Sequence, residues 1–258
     1  MWLKEKIEMR FLALIYFLIV ALFSTAQESA GTTIIGNALH LLGKPYESHS
    51  LENPKEEKLL LPNDGFDCYT FVERVLALSI NPQDLVKSTL YLRYRNARVN
   101  GYCSRLHYLS DWLSTHITDS TLIDVTPTLP FAKEIRFDLR FMSTHPALYP
   151  AMLRDACTEE IQKIEKKIAA NTFYYIPKKK VRALEATIQH GDIIAITTNK
   201  KGLDYSHVGF AYKKNGKVYL MHASTTEKKV VISQHTLFNY LMRYAHQTGI
   251  SVLRWNKK

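Results

Sequence analysis

The sequence predicts an α+β fold in which a helical first half packs on an antiparallel β-meander. Two patterns predict it. Up to about residue 170, apolar residues recur at the spacing of amphipathic helices; beyond about residue 185, β-branched runs are punctuated by turn residues. Helices and strands are segregated along the chain and do not alternate, which separates this class from a parallel βαβ sheet. A hydrophobic fraction of 46% with 22% charged residues can build a substantial core and excludes a disordered chain. Ten glycines and nine prolines are too few for a low-complexity linker, and no internal repeat is visible, so the folded part reads as one domain.

The elements follow in order. "TTIIGNALHLLGKPY" predicts a first helix ending near Gly43, a glycine placed as a helix terminator. A second helix is expected over 66–80, where Phe71, Val75 and Leu78 share a face. In "NPQDLVKSTLYLRYR", Asn81 is the expected cap of a third, with Pro82 at its first position. "SRLHYLSDWLSTHI" predicts another helix and "IDVTPTLPF" an extended segment broken by proline. "TEEIQKIEKKIAAN" predicts a charged helix, with Glu160 and Glu165 offset against Lys163 and Lys167. "GDIIAITTN", "SHVGFAYKKNGKVYLMHAS" and "KVVISQ" predict strands, the middle stretch being a hairpin around "KNGK". A helix in "HTLFNYLMRYAH" and a strand in "ISVLRW" close the chain.

The N-terminus has the pattern of a secretory leader. Lys4, Lys6 and Arg10 precede an apolar run from Phe11 to Phe23, and Ser24 and Ala26 stand at the −3 and −1 positions of a cleavage site. A membrane span needs about 20 apolar residues, more than this run supplies. A signal peptide is therefore expected over 1–26, leaving 27–258 as a single exported domain, periplasmic or secreted, with no stable membrane insertion after leader cleavage.

A net charge of +10 suits an anionic partner such as nucleic acid, a membrane surface or an acidic cell-wall polymer. The lysines of "IPKKKV", "NKKG" and "EKKV" form short loop-like clusters that read as solvated surface. No helix-turn-helix or zinc-finger spacing is present, and export argues against a nucleic-acid partner.

Three cysteines in an exported chain allow at most one disulfide within the chain, leaving at least one free thiol unless chains pair. Cys68, in "NDGFDCYTFVERVLALS", stands at the expected first turn of the second helix. A thiol of ordinary pKa, about 8.5, is only a few per cent thiolate at neutral pH. A helix N-terminus and a neighbouring imidazole both raise that share.

The strand half supplies imidazoles. If the hairpin turns at Asn215–Gly216, paired positions place His207 opposite residue 224, two positions beyond His222. Neighbouring strands lie about 4.8 Å apart, so such a diagonal keeps both rings on one sheet face. The pattern suits a base, His207, held by a second imidazole, His222. Two unrelated core histidines are the alternative that spacing alone leaves open.

The ordered series "GKPYESHSLE", "DGFDCYTFVE", "GDIIAITT", "SHVGFAY" and "LMHAS" resembles the NlpC-type papain-like cell-wall cysteine hydrolases. "SRLHYLSDW" and "YYIPK" resemble further marks of one branch, an N-acetylmuramoyl-L-alanine amidase-like group formerly catalogued as a domain of unknown function. The resemblance spans residues 30 to 255 and implies a papain-like fold, with the nucleophile on the helical half. By that resemblance Cys68 is the nucleophile, His207 the general base and His222 the residue that orients it. Tyr46 helps bind the oxyanion with the backbone N–H of Cys68, and Arg105, His107, Tyr108 and Asp111 lie along the substrate cleft. The family's usual "DCSG" is here "DCYT".

The resemblance implies an amidase that acts on peptidoglycan fragments, cutting the bond between N-acetylmuramic acid and L-alanine through a thioester. An endopeptidase cutting the stem after γ-D-glutamate and a non-catalytic cell-wall binding module are the alternatives. No cofactor and no metal are expected, since the histidines show neither HExxH nor paired CxxC spacing. Taken without the family, Tyr46 reads as packing, Arg105 and Asp111 as a surface ion pair, and Trp112 as core. Cys103 and Cys157 read as small buried residues.

Overall fold

The computed structural model describes residues 30–52 and 55–257; the predicted leader lies outside the described residues. A first helix, α1 (30–39), ends four residues before Gly43, and the chain turns there with Gly43 at φ +81° and its N–H on the Val230 carbonyl. Next come α2 (Cys68–Ile80), α3 (Leu85–Arg93) and α4 (Leu109–Thr118). The cap of α3 is Asp84, whose carboxylate accepts from the Lys87 N–H. The expected cap, Asn81, instead accepts from the Gln83 N–H in a turn just ahead. Two short strands, β1 (Leu122–Asp124) and β2 (Lys133–Ile135), precede the short helices α5 (Phe141–Thr144) and α6 (Pro150–Arg154). The charged helix α7 (Thr158–Ala169) leads to β3 (Phe173–Pro177). The strand half holds β4 (Ile193–Thr198), β5 (Tyr205–Lys214), β6 (Lys217–Ser224) and β7 (Lys229–Thr236), then α8 (Leu237–Met242) and β8 (Gln247–Trp255).

All strand pairings in the eight-stranded sheet are antiparallel, in the order β2-β3-β8-β4-β5-β6-β7, with β1 also on β8. The expected meander is β4 to β7. It is extended because the last strand, β8, inserts between β3 and β4, and strands of the first half pair on its far side. Ile250 and Val252 of β8 are buried on one face and Leu253 on the other, a pattern that demands a central position.

Alternation along the strands divides two cores. Ile193, Ala195, Val208 and Phe210 face α1, α2 and α4, while Ile194, Ile196 and Ala211 face Leu237 and Leu241 of α8. Helix α2 is seated on β5 by the edge contact of Phe71 with Phe210, 5.7 Å between ring centres. Cys103 and Cys157, expected as small buried residues, are not separate thiols. They form a disulfide whose Cα atoms are 6.2 Å apart, joining residues 54 positions apart in the sequence.

Candidate active site

Cys68 is the first residue of α2, behind Asp67 as N-cap. Asp67 accepts from the Thr70 N–H at 2.7 Å, and Thr70 returns a bond to the Asp67 N–H at 2.9 Å, a reciprocal capping box. That box satisfies the third amide of the helix and leaves those of Cys68 and Tyr69 directed at the Cys68 sulfur, along with the N–H of Val208 on β5. These donors favour a thiolate. Burial outweighs them, and the neighbouring Asp67 carboxylate adds to it, so the thiol is pushed up to about 12. The helix position is as expected, but burial and the Asp67 charge keep the thiol protonated at rest.

The β5–β6 hairpin brings an imidazole into the same cleft as Cys68. It turns at Asn215 and Gly216, both at positive φ, and pairs Lys214 with Lys217 through Phe210 with Met221, the register that sets His207 diagonally from His222. The two rings stand nearly perpendicular, with His207 Nε2 and His222 Nδ1 2.7 Å apart. Two irregularities allow this approach. β5 is bulged against β4 so that Ile196 faces His207 while Thr197 faces Tyr205. Gly209, two residues on, lies so close to β6 that an added Cβ would meet the Met221 carbonyl oxygen at 2.6 Å. With Nε2 committed to His222, Nδ1 of His207 makes no hydrogen bond among the described residues. Burial lowers His207 to about 4, and burial with the neighbouring His207 lowers His222 to about 2, so both rings rest neutral.

Cys68 and His207 line one cleft of about 230 Å³, together with His107, Tyr108, Tyr149 and Asp204. Tyr46 does not line that cleft, but its phenol lies near enough to feel the Cys68 charge. Its strand-like stretch bridges to Phe66 just ahead of α2, and its N–H donates to the Lys228 carbonyl. Burial, then the Cys68 and Asp67 charges, push the Tyr46 phenol up to about 12, and among the described residues its hydroxyl has no hydrogen-bond partner.

The four further residues divide. His107 and Tyr108 line the cleft: His107 Nε2 donates to the Tyr102 carbonyl at 2.9 Å, and the Tyr108 hydroxyl donates to Glu165 at 2.6 Å. Glu165 is thus buried under the cleft, not offset on a solvated face. Arg105 does not line the cleft. Its guanidinium is spent on Glu57, Glu52 and the Leu51 carbonyl. Asp111 pairs with Arg95. Arg74 and Arg93 likewise donate to the Pro62 and Leu60 carbonyls, so three arginines pin the stretch between Tyr46 and Cys68.

Two contributors carry no sequence signal. Tyr240 of α8 packs on both imidazoles, edge-on to His222 at 5.2 Å and inclined 30° to His207 at 6.4 Å. Asp204 accepts from the Ser110 N–H at 2.7 Å and so fixes the start of α4 to the start of β5. Among the described residues no group of three or more His, Cys, Asp or Glu side chains could hold a metal ion.

Fold and cleft together define an α+β protein whose helix-borne thiol faces an imidazole pair carried by two sheet strands. The chain belongs to the AmiA-like family, described as N-acetylmuramoyl-L-alanine amidase-like, which it matches over residues 37–250. It is 37% identical to an N-acetylmuramoyl-L-alanine amidase of Bacteroides uniformis, covering 89% of this chain and 100% of that one, with a TM-score of 0.82. A Bacteroides fragilis protein provisionally named a xylanase is 38% identical over 85% of this chain and 99% of its own, with a TM-score of 0.78. A Legionella pneumophila protein at 22% identity shares the fold, with a TM-score of 0.67 over 92% of this chain and 97% of its own. No curated protein matches.

Proposed function

We propose that the chain is an exported cysteine amidase that hydrolyses the N-acetylmuramic acid–L-alanine bond of peptidoglycan fragments through a thioester. The observation that carries the reading is the His207 Nε2–His222 Nδ1 contact, which leaves Nδ1 of His207 for the thiol of the same cleft. Nδ1 takes the Cys68 proton as the sulfur bonds to the lactyl carbonyl carbon. The carbonyl oxygen becomes an oxyanion held by the Cys68 N–H and the Tyr46 hydroxyl. Collapse breaks the C–N bond, and the His207 proton leaves with the alanine amine. Water, giving its proton to His207, then attacks the thioester; muramic acid is released and the proton returns to sulfur. His222 holds the His207 ring throughout.

Support for export comes from the leader pattern and from the Cys103–Cys157 disulfide, a cross-link suited to an oxidising compartment. Glycoside cleavage is less well supported, because it uses two flanking carboxylates. Asp204, the carboxylate of the cleft, is buried and accepts from the Ser110 and Tyr205 N–H groups.

The test incubates purified protein with a muropeptide and separates products by mass. Free disaccharide with intact stem peptide supports the amidase. A shortened peptide still on sugar assigns an endopeptidase, and no product with binding retained in Cys68→Ala assigns a binding module.

A further inference from the structure

Tyr149 forms one wall of the cleft that holds Cys68 and His207. That side chain also lines a second, larger cavity of about 590 Å³, whose other walls include Tyr102, Leu148, Pro150 and Glu52. Resting on the amidase reading, we propose that this cavity binds the sugar half of the substrate, an N-acetylated aminosugar ring or disaccharide, while the scissile amide sits at Cys68.

Unused hydrogen-bonding capacity supports the assignment. Both tyrosines line the cavity, and among the described residues neither hydroxyl is hydrogen-bonded to another protein group. A hydroxyl open to the cavity can donate to, or accept from, a hydroxyl-rich ligand. The C–H faces of a pyranose suit the tyrosine, leucine and proline surfaces beside it.

Charge points the same way. Glu52 is paired with Arg105 at 3.2 Å, and Arg154 with Asp155 at 2.6 Å, so both charges on this wall are engaged. A stem peptide, with its several carboxylates, would meet a mainly apolar surface whose one acid and one arginine are each already paired. The cavity beside His222, about 300 Å³, is instead lined by Lys229, Arg243 and Glu227, groups that match peptide charges.

The walls are also fixed in advance. The disulfide ties Cys103, next to Tyr102, to Cys157, just beyond α6. The Tyr102 N–H donates to Asp155 at 2.8 Å, and the Tyr102 ring lies 4.4 Å from that of His107 in the catalytic cleft. A site held this way loses little order on binding.

The test uses full-length Cys68→Ala protein, titrated calorimetrically with the N-acetylglucosaminyl–N-acetylmuramic acid disaccharide and, separately, with the free stem tetrapeptide. Tyr149→Ala should weaken disaccharide binding about tenfold or more, and Tyr102→Phe by about threefold to tenfold, the effect of one hydrogen bond. Disaccharide affinity unchanged in both variants, or a loss confined to the tetrapeptide, overturns the assignment. Hydrogen exchange on the Cys68→Ala protein needs no second substitution: disaccharide should protect 102–105 and 146–154, and protection confined to 224–244 overturns it. Disaccharide bound here by a protein that cleaves no muropeptide would reject the amidase reading and leave the sugar site standing.

Discussion

Asp67 and Cys68, adjacent at the start of α2, act against each other: the carboxylate that caps the helix also opposes ionisation of the thiol it positions. Burial is the larger cause of the raised thiol, and Asp67 the second. Asp67→Asn keeps a good cap residue while removing the charge. The thiolate share at neutral pH should therefore rise, and alkylation of Cys68 by iodoacetamide should speed up several-fold. An unchanged rate would show that the Asp67 charge does not reach the sulfur.

In the proposed mechanism, catalysis at neutral pH depends on His207 as a neutral base. Burial lowers its pKa to about 4, so the ring keeps a free lone pair at Nδ1 well below the usual histidine range. The acid limb of kcat/KM should fall near pH 4, with activity rising through that value and then flat towards neutrality. An acid limb near the ordinary value, about 6.5, would mean that the working base is a solvated imidazole and not His207.

The same burial sets a stability window. His207, His222 and His107 stay neutral in the fold, with pKa values lowered by burial to about 4, about 2 and about 3. In the unfolded chain each takes up a proton as pH falls below about 6.5, so the unfolded state binds more protons and stability drops as pH falls. Each ring contributes a slope of about 1.4 kcal/mol per pH unit between its unfolded and folded pKa values. Urea unfolding between pH 7 and pH 5 should show this loss, and His107→Gln should make it shallower. A stability flat across that range would contradict neutral burial of the three rings.

How much was legible in the sequence depended on whether the signal was local. Asn215–Gly216 forces positive φ at two successive residues, so the turn fixed the register, and the register placed His207 against His222. Cys68 at a helix start was legible from the apolar period after it. What escaped depends on distant partners. Asn81 and Asp84 are both good caps, and the sequence cannot show which one meets a helical amide. Glu165 lies on a charged helix and is buried where the Tyr108 hydroxyl and the Ser143 N–H both donate to it. Arg105 sits in the right motif, yet its partners, Glu52 and Glu57, lie about 50 residues upstream and turn it from a surface group into an anchor. Tyr240 touches both imidazoles through the packing of α8 on the sheet, which no spacing foretells.

That anchor yields a prediction about the fold beneath the site. Glu57 is almost fully buried, and its two oxygens take Nε and Nη2 of Arg105 at 2.7 and 2.6 Å. Removing one member strands a buried charge, at a cost of about 3–5 kcal/mol. Glu57→Ala and Arg105→Ala should each lose about that much in denaturant unfolding, and the double variant should lose less than their sum. Fully additive losses would indicate that the two groups do not act as a pair.

The disulfide makes the last prediction, because one thiol and one cross-link give different counts under different treatments. Without reductant, iodoacetamide should add one group per chain, at Cys68; after reduction and unfolding it should add three. The labelling should also depend on His207: with the thiol raised by burial, His207→Ala should slow it strongly at neutral pH. Cross-linking residues 54 positions apart restricts the unfolded chain by about 4 kcal/mol in the loop-entropy picture, so a Cys103→Ala/Cys157→Ala double variant should lose up to that amount. Because Cys103 adjoins Tyr102 and Cys157 follows α6, the loosening should concentrate in the two walls of the larger cavity. Hydrogen exchange that quickens across 102–105 and 146–157 while the β5–β6 hairpin keeps its protection would show the cross-link acting on those walls. Uniform quickening of the whole chain would show that it acts only through global stability.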